Sequence, residues 1–145
     1  MSEALVLAKA PSHLKLDLAC GQMPHEGFEG VDLWEGAKHR LDLFRCPWPW
    51  EDGSVEELHC SHFIEHIPME EIEHNGRKKD RLFAFFDECY RILKPGGRMT
   101  VFCPNARSNR AFQDPTHRRF IVAETFLYLH KPWRVANKGI STCLQ

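Results

Sequence analysis

Three aspartates stand at matching places early in the chain: Asp17 in LKLDLACG, Asp32 in GVDL and Asp42 in RLDL. An ionised carboxylate only accepts hydrogen bonds, so each suits a hydroxyl-bearing ligand or the backbone donors of its own turn. Further along, HFIEH at residues 62–66 sets His62 and His66 four apart with Glu65 between them, a metal-ligand spacing when the segment is helical. Histidine titrates near neutrality, at about 6.5, which makes His62 and His117 of DPTHRR the candidate general bases. The six cysteines (Cys20, Cys46, Cys60, Cys89, Cys103, Cys143) form no CxxC pair, so neither a zinc ribbon nor a stapled secreted fold is indicated. They read as reduced, mostly buried thiols.

Short apolar runs with turn signals at both ends must position these residues. Runs at 14–18, 30–33, 40–43, 54–61 and 98–103 predict five strands. Between the last two, Leu82, Phe85, Phe86, Cys89 and Leu93 recur at helical spacing, with Arg81, Asp87, Glu88 and Arg91 facing away, which predicts an amphipathic helix over 80–93. Pro95 cannot continue that helix, and Gly96 and Gly97 suit a sharp turn into the fifth strand. A second helix is expected over 123–130, stopped before Pro132. Strands alternating with helices indicate an α/β parallel sheet, whose ligands sit beyond the carboxyl ends of the strands where strand order reverses. Asp17 to Gly21, Asp32, Asp42, Ser61 with His62, and Pro104 with Asn105 occupy those ends. Trp48 and Trp50 fit a hydrophobic plug under a loop better than a base-stacking platform.

With 145 residues, 43% apolar and 27% charged, the chain has the composition of one globular domain, taken as 1–145. The first apolar run, residues 4–8, lacks a basic flank and is too short for a signal peptide or a membrane span, so a cytoplasmic protein with no membrane partner is expected. A net charge of −1 argues against a general nucleic-acid coat. Residues 1–60 carry 5 Lys+Arg against 11 Asp+Glu, whereas residues 105–145 carry 7 against 2. That basic final quarter, with Arg107, Arg110, Arg118 and Arg119, suits an anionic substrate or forms a solvated face balancing an acidic one.

LDLACG at 16–21, VDL at 31–33, LDLFRCPWPWEDGSVEELHCSHFIEHIP at 41–68 and FFDECYRILKPGGRMTVFCPN at 85–105 resemble successive motifs of class I S-adenosylmethionine-dependent methyltransferases. The resemblance covers residues 14–105 as a cofactor-binding core and leaves 106–145 as a basic segment on the substrate side. There, AFQDPTHRRF is similar to the region after the fifth strand in small bacterial and phage-type members. The resemblance implies a Rossmann-like, doubly wound parallel sheet with five strands in the order 3-2-1-4-5, and S-adenosylmethionine as cofactor. By the same resemblance, Asp17, Leu18, Ala19, Cys20 and Gly21 wrap the methionine end, with Gly21 allowing the backbone to approach where a side chain would collide. Asp32 with Leu33 takes the ribose hydroxyls, Asp42 with Leu43 lies at the adenine edge, and Ser61 and His62 line the methyl-transfer site.

The chain departs from the family pattern twice. Its glycine loop reads AlaCysGlyGlnMet in place of Gly-x-Gly-x-Gly, and the connection from strand one to strand two is too short for a normal crossover helix, so that helix is expected to be reduced and residues 2–9 to cover the sheet there. The family's last two strands are missing, leaving strand five as an edge to be covered by residues 106–145 or paired in a homodimer. The methyl acceptor, a small molecule or a macromolecule, is open; DNA bases are disfavoured, because SHFI stands where an Asn/Asp/Ser-Pro-Pro-aromatic motif belongs. A base is needed only if the nucleophile must lose a proton, and then His117 or His62 serves. The alternative is a non-catalytic module that binds the cofactor or assembles partners. HFIEH also resembles the HxxEH signature of inverted zinc proteases, but Pro68 permits only a short helix and Glu124 is the nearest third ligand, so no metal is expected.

Overall fold

The computed structural model describes residues 13–137. Five strands form one sheet in the order β3-β2-β1-β4-β7, with every neighbouring pair parallel: β1 (Lys15–Leu18), β2 (Glu29–Asp32), β3 (His39–Arg40), β4 (Val55–Ser61) and β7 (Leu93–Phe102). With its helices this makes an α/β fold. The order departs from the expected 3-2-1-4-5 in its last member. β5 (Glu71–His74) and β6 (Arg77–Asp80) form a separate antiparallel hairpin, so the strand beside β4 is the seventh in the chain. The hairpin turns at Asn75 and Gly76, both at positive φ (+52° and +72°), the backbone a two-residue turn demands.

β1 lies at the centre, and the chain leaves it first toward β2 and β3, then returns to β4 on its other side. Leu16, Leu18, Val31, Leu58 and Cys60 of these strands are fully buried, as parallel strands covered on both faces require. One cover is α1 (Arg81–Ile92), capped at its start by the Asp80 side chain, which accepts from Leu82 N at 2.8 Å. It buries Leu82, Phe85 and Cys89 as the helical spacing predicts, half-buries Phe86, and buries Ile92 in place of the expected Leu93, which already belongs to β7; it also buries Glu88, which was expected to face away. Glu88 turns inward because Arg91 and the backbone N–H of Trp48 hold both of its oxygens. Trp48 is itself core, 2% exposed, edge-on to Phe85 and Trp50, in agreement with the plug reading.

The connection from β1 to β2 contains no helix. In its place His25 stacks on His59 of β4 at 4.4 Å with the rings 9° apart, and Phe28 packs against both. The segment 2–9, expected to cover the sheet here, lies outside the described residues. α1 leads directly into β7, and residues 94–97 bulge out of the sheet: Val55 pairs with Leu93, but Glu57 already pairs with Arg98. Gly96 sits at φ +77°, and a Cβ on Gly97 would fall 2.8 Å from the Lys94 carbonyl oxygen, so both glycines are required.

Beyond β7, Asn105 bridges to Ile121, and a 3-10 stretch at Ala123–Leu129 packs Phe126 against Phe86 of α1. The expected α-helix over 123–130 is therefore 3-10. A new helix, α2 (Lys131–Ala136), starts just where the expected helix was to stop, because Pro132 sits in its first turn, where no N–H partner is needed. Among the described residues no strand pairs with the outer edge of β7, and no helix is long and apolar enough to cross a membrane.

Candidate functional site

The carboxyl ends of β1 and β2 and the segment after β3 meet at one open cleft. Ala19, Asp32, Leu33, Asp42 and Leu43, five of the residues expected at a cofactor site, line it together. Leu41, Phe44 and Phe63 complete the wall, with Phe44 and Phe63 stacked at 5.6 Å. The reading from strand ends missed these three. Phe44 had a signal, its place directly after LDL, whereas Phe63 reaches the cleft only through the register of β4.

The loop after β1 is shaped by backbone more than by side chains. Ala19 and Gly21 both adopt φ +57°, and the N–H groups of Ala19 and Cys20 donate to the Val31 carbonyl at 2.8 and 3.4 Å. A Cβ on Gly21 would meet no protein atom within 4 Å, and its left-handed backbone, shared by Ala19, favours glycine. Within the protein the close approach lies at Gly30 in β2, where a Cβ would come 2.7 Å from Cys20 Sγ and 3.2 Å from Pro24 Cβ.

Asp32 joins the loop to its own turn. Its Oδ2 accepts from Gly21 N and its Oδ1 from Trp34 N, both at 2.9 Å. Asp42 does the same locally, accepting from Phe44 N at 3.0 Å, with Arg45 Nε 3.3 Å away. That turn pulls residues 41–43 out of the predicted third strand, which shrinks to His39–Arg40.

The other expected cofactor residues are placed differently. Asp17 is 4% exposed and both of its oxygens are occupied, Oδ1 by His59 Nδ1 and Oδ2 by His25 N, each at 2.7 Å. It pins the loop from beneath, because β1 and β4 pair with Asp17 opposite His59. Leu18 is fully buried in the core and offers only its backbone. Cys20 lines a separate cleft with Phe28 and Trp34, and its thiol is pushed up by burial and by the Asp17 and Asp32 carboxylates. Burial likewise raises Cys60, Cys89, Cys103 and Cys46, the last to about 11, so these thiols are protonated and unreactive at neutral pH. Cys143 lies outside the described residues.

Ser61 ends β4 half-buried, and His62 follows at φ +54°, a strained backbone for a histidine, held by its N–H to the Phe102 carbonyl at 2.8 Å. Neither lines the cleft. His117, the other candidate base, is half-buried, with its side chain 7% exposed beside His66, the two rings edge-to-face at 4.8 Å. HFIEH is helical only as a 3-10 turn at Ile64–His66, so it does not present His62 and His66 as a pair on one α-helical face. Glu124, the distant ligand considered for a zinc protease, is exposed and faces Arg107 at 3.9 Å. Of the basic tail, Arg119 is a structural anchor: it reaches Ile67 O, Pro68 O and Asp80 with a side chain 10% exposed, which removes it from the surface offered to an anion.

No family model matches the chain, and no curated protein or solved structure matches it.

Proposed function

We propose that the chain is a class I S-adenosylmethionine-dependent methyltransferase on a Rossmann-like, doubly wound sheet. One observation carries the reading: five residues named for a cofactor at three separate strand ends line a single cleft, beside the point where strand order reverses. An ionised carboxylate has about four lone-pair sites. Asp32 spends two on Gly21 N and Trp34 N, leaving two for a ribose diol. Leu33, Leu43 and the stacked Phe44 and Phe63 offer the apolar wall an adenine ring needs, with Asp42 at its polar edge. The backbone of residues 19–21 is the cradle for the methionine end. Methyl transfer from a sulfonium is an in-line displacement on an activated carbon, so the work of these residues is alignment and exclusion of water. The acceptor, a small molecule or a macromolecule, is not assigned.

Calorimetry with S-adenosylhomocysteine is the test. Saturable one-to-one binding that weakens in Asp32→Ala supports the assignment, and no binding by the wild-type chain overturns it. Binding without methyl transfer to any acceptor moves the chain to the non-catalytic class.

A further inference from the structure

We infer that Glu65, His66 and His117 form a binding site for one divalent transition-metal ion, Zn²⁺ being the ion best matched to their chemistry. One carboxylate oxygen of Glu65 and one ring nitrogen of each histidine lie within 4.8 Å of one another. Metal–ligand bonds of 2.0–2.2 Å in a tetrahedral site place ligand atoms about 3.4 Å apart. A side-chain closure of about 1 Å therefore suffices to coordinate an ion.

The second observation is independent of that spacing. Glu65 is 1% exposed, and neither of its carboxylate oxygens has a hydrogen-bond partner. His62 Nδ1 comes to 3.3 Å of Oε1 without hydrogen-bond alignment, from a ring 66% exposed. A buried carboxylate without a partner is costly, and proteins retain one where an ion or another partner satisfies it.

Third, both imidazoles are oriented as metal ligands are. The Thr116 hydroxyl donates its proton to Asp114 Oδ1 at 2.7 Å, so it faces His66 Nδ1, 3.1 Å away, as an acceptor. His66 therefore carries its proton on Nδ1 and keeps a free lone pair on Nε2. The Ala111 carbonyl, 2.8 Å from His117 Nδ1, can only accept, and fixes the same tautomer. An imidazole whose Nδ1–H is held by an outer acceptor keeps its Nε2 lone pair for a metal; His117 Nε2 has Asp114 Oδ2 3.7 Å away, beyond hydrogen-bond distance.

The site is also built in advance. Arg118 N and Arg119 N donate to the Glu65 carbonyl at 2.7 and 3.0 Å, and the Arg119 guanidinium clamps Ile67 O and Pro68 O. These bonds hold the segment carrying His117 against the turn carrying Glu65 and His66. Two imidazoles with one carboxylate suit Zn²⁺ and its first-row neighbours over Mg²⁺ or Ca²⁺, which prefer oxygen throughout, and they leave a fourth position for water. HFIEH thus contributes its Glu65 and His66, with the third ligand arriving from DPTHRR.

The full chain, stripped with a chelator and dialysed, is titrated with Zn²⁺ and with Co²⁺. One equivalent of Zn²⁺ is expected, with a rise in unfolding temperature and a Co²⁺ visible spectrum lacking thiolate charge-transfer bands. Glu65→Gln, close in shape, and His117→Ala should each weaken binding by at least about 100-fold, and Thr116→Val by about 10-fold through the loss of His66 orientation. Folding of each variant is checked by circular dichroism, and Glu65→Gln with Thr116→Val decides the matter if His117→Ala does not fold. Less than stoichiometric uptake by the wild-type chain, unchanged affinity in Glu65→Gln and Thr116→Val, or thiolate bands would overturn the proposal. Metal uptake is read without cofactor, so its failure is distinct from a failure to bind S-adenosylhomocysteine.

Discussion

Glu88 on α1 and Glu65 after β4 are both buried acids, 2% and 1% exposed, yet their surroundings are opposite. Glu88 accepts from Arg91 Nε and Nη2 at 2.9 and 2.7 Å and from Trp48 N at 2.8 Å, and Arg91 goes on to Trp48 O, Trp50 O and Asp52. Burial works to raise the Glu88 pKa, but those hydrogen bonds outweigh it and hold the carboxyl below the usual range. Glu65 has no such partner. The first carboxylate is part of the architecture, tying the Trp48 plug to the helix. The second is left open where the chain brings two histidines to it, and burial alone distinguishes neither.

The largest effect that sharpens this contrast belongs to the plug. Trp48→Ala removes a 2%-exposed indole that meets Phe85 and Trp50 and donates to the Leu43 carbonyl, and should cost about 3–5 kcal/mol in denaturant unfolding. A loss under 1 kcal/mol would mean the plug is not core. Glu88→Met comes next, at about 1–3 kcal/mol, because it leaves Trp48 N and part of the Arg91 guanidinium without an acceptor. Its pH signature has a definite sign. A carboxyl whose folded pKa is depressed contributes stability that is fully present above its unfolded value, near 4.3, and is lost as pH falls through the folded value. Wild-type stability should therefore fall with acid more steeply than that of Glu88→Gln, and parallel curves would remove Glu88 from the account.

Asp32 stands between the two cases, with two acceptor sites used and two free. Asp32→Ala should weaken S-adenosylhomocysteine binding by about tenfold or more, equivalent to about 1.4 kcal/mol. Losing the acceptor for Gly21 N and Trp34 N should also loosen the loop, which faster amide exchange at Gly21 would report. Equal affinity in calorimetry would strike Asp32 from the cleft's chemistry.

How much of this could be read beforehand depends on where each signal resides. β1, β2 and β4 were legible because each sets apolar residues, Leu16 and Leu18, Val31, and Val55, Leu58 and Cys60, in a short segment bounded by turn residues. The hairpin was not, because EIEH and RKKD carry charge on both sides of it; only Asn75-Gly76, a turn signal without apolar flanks, marks the place. In the cleft, Asp32 and Asp42 were legible as strand-end carboxylates. Asp17 looked identical to them, and its partner His59 is 42 residues away, visible only once β1 and β4 are in register. His62 and His66 stood out as a pair at metal-ligand spacing, but the cluster that forms joins His66 to Glu65 and to His117, about 50 residues on, brought in by hydrogen bonds from a loop that has no periodicity to read.

The smallest expected effect is also the one that bears most directly on the contrast. Replacing Glu65 by Met keeps the volume and removes two oxygens that no donor satisfies. Where a buried polar group has no partner, an apolar group of similar shape is neutral or stabilising, so the metal-free protein should change by less than about 1 kcal/mol or gain stability. The same replacement at Glu88 loses stability under identical conditions, because there the oxygens are used. A loss of 2 kcal/mol or more in metal-free Glu65→Met would show that His62 or another donor holds Glu65 in solution, and the two acids would then be alike. A neutral or stabilised variant would mean that Glu65 is kept at a cost to the fold, for a ligand that the fold itself does not supply.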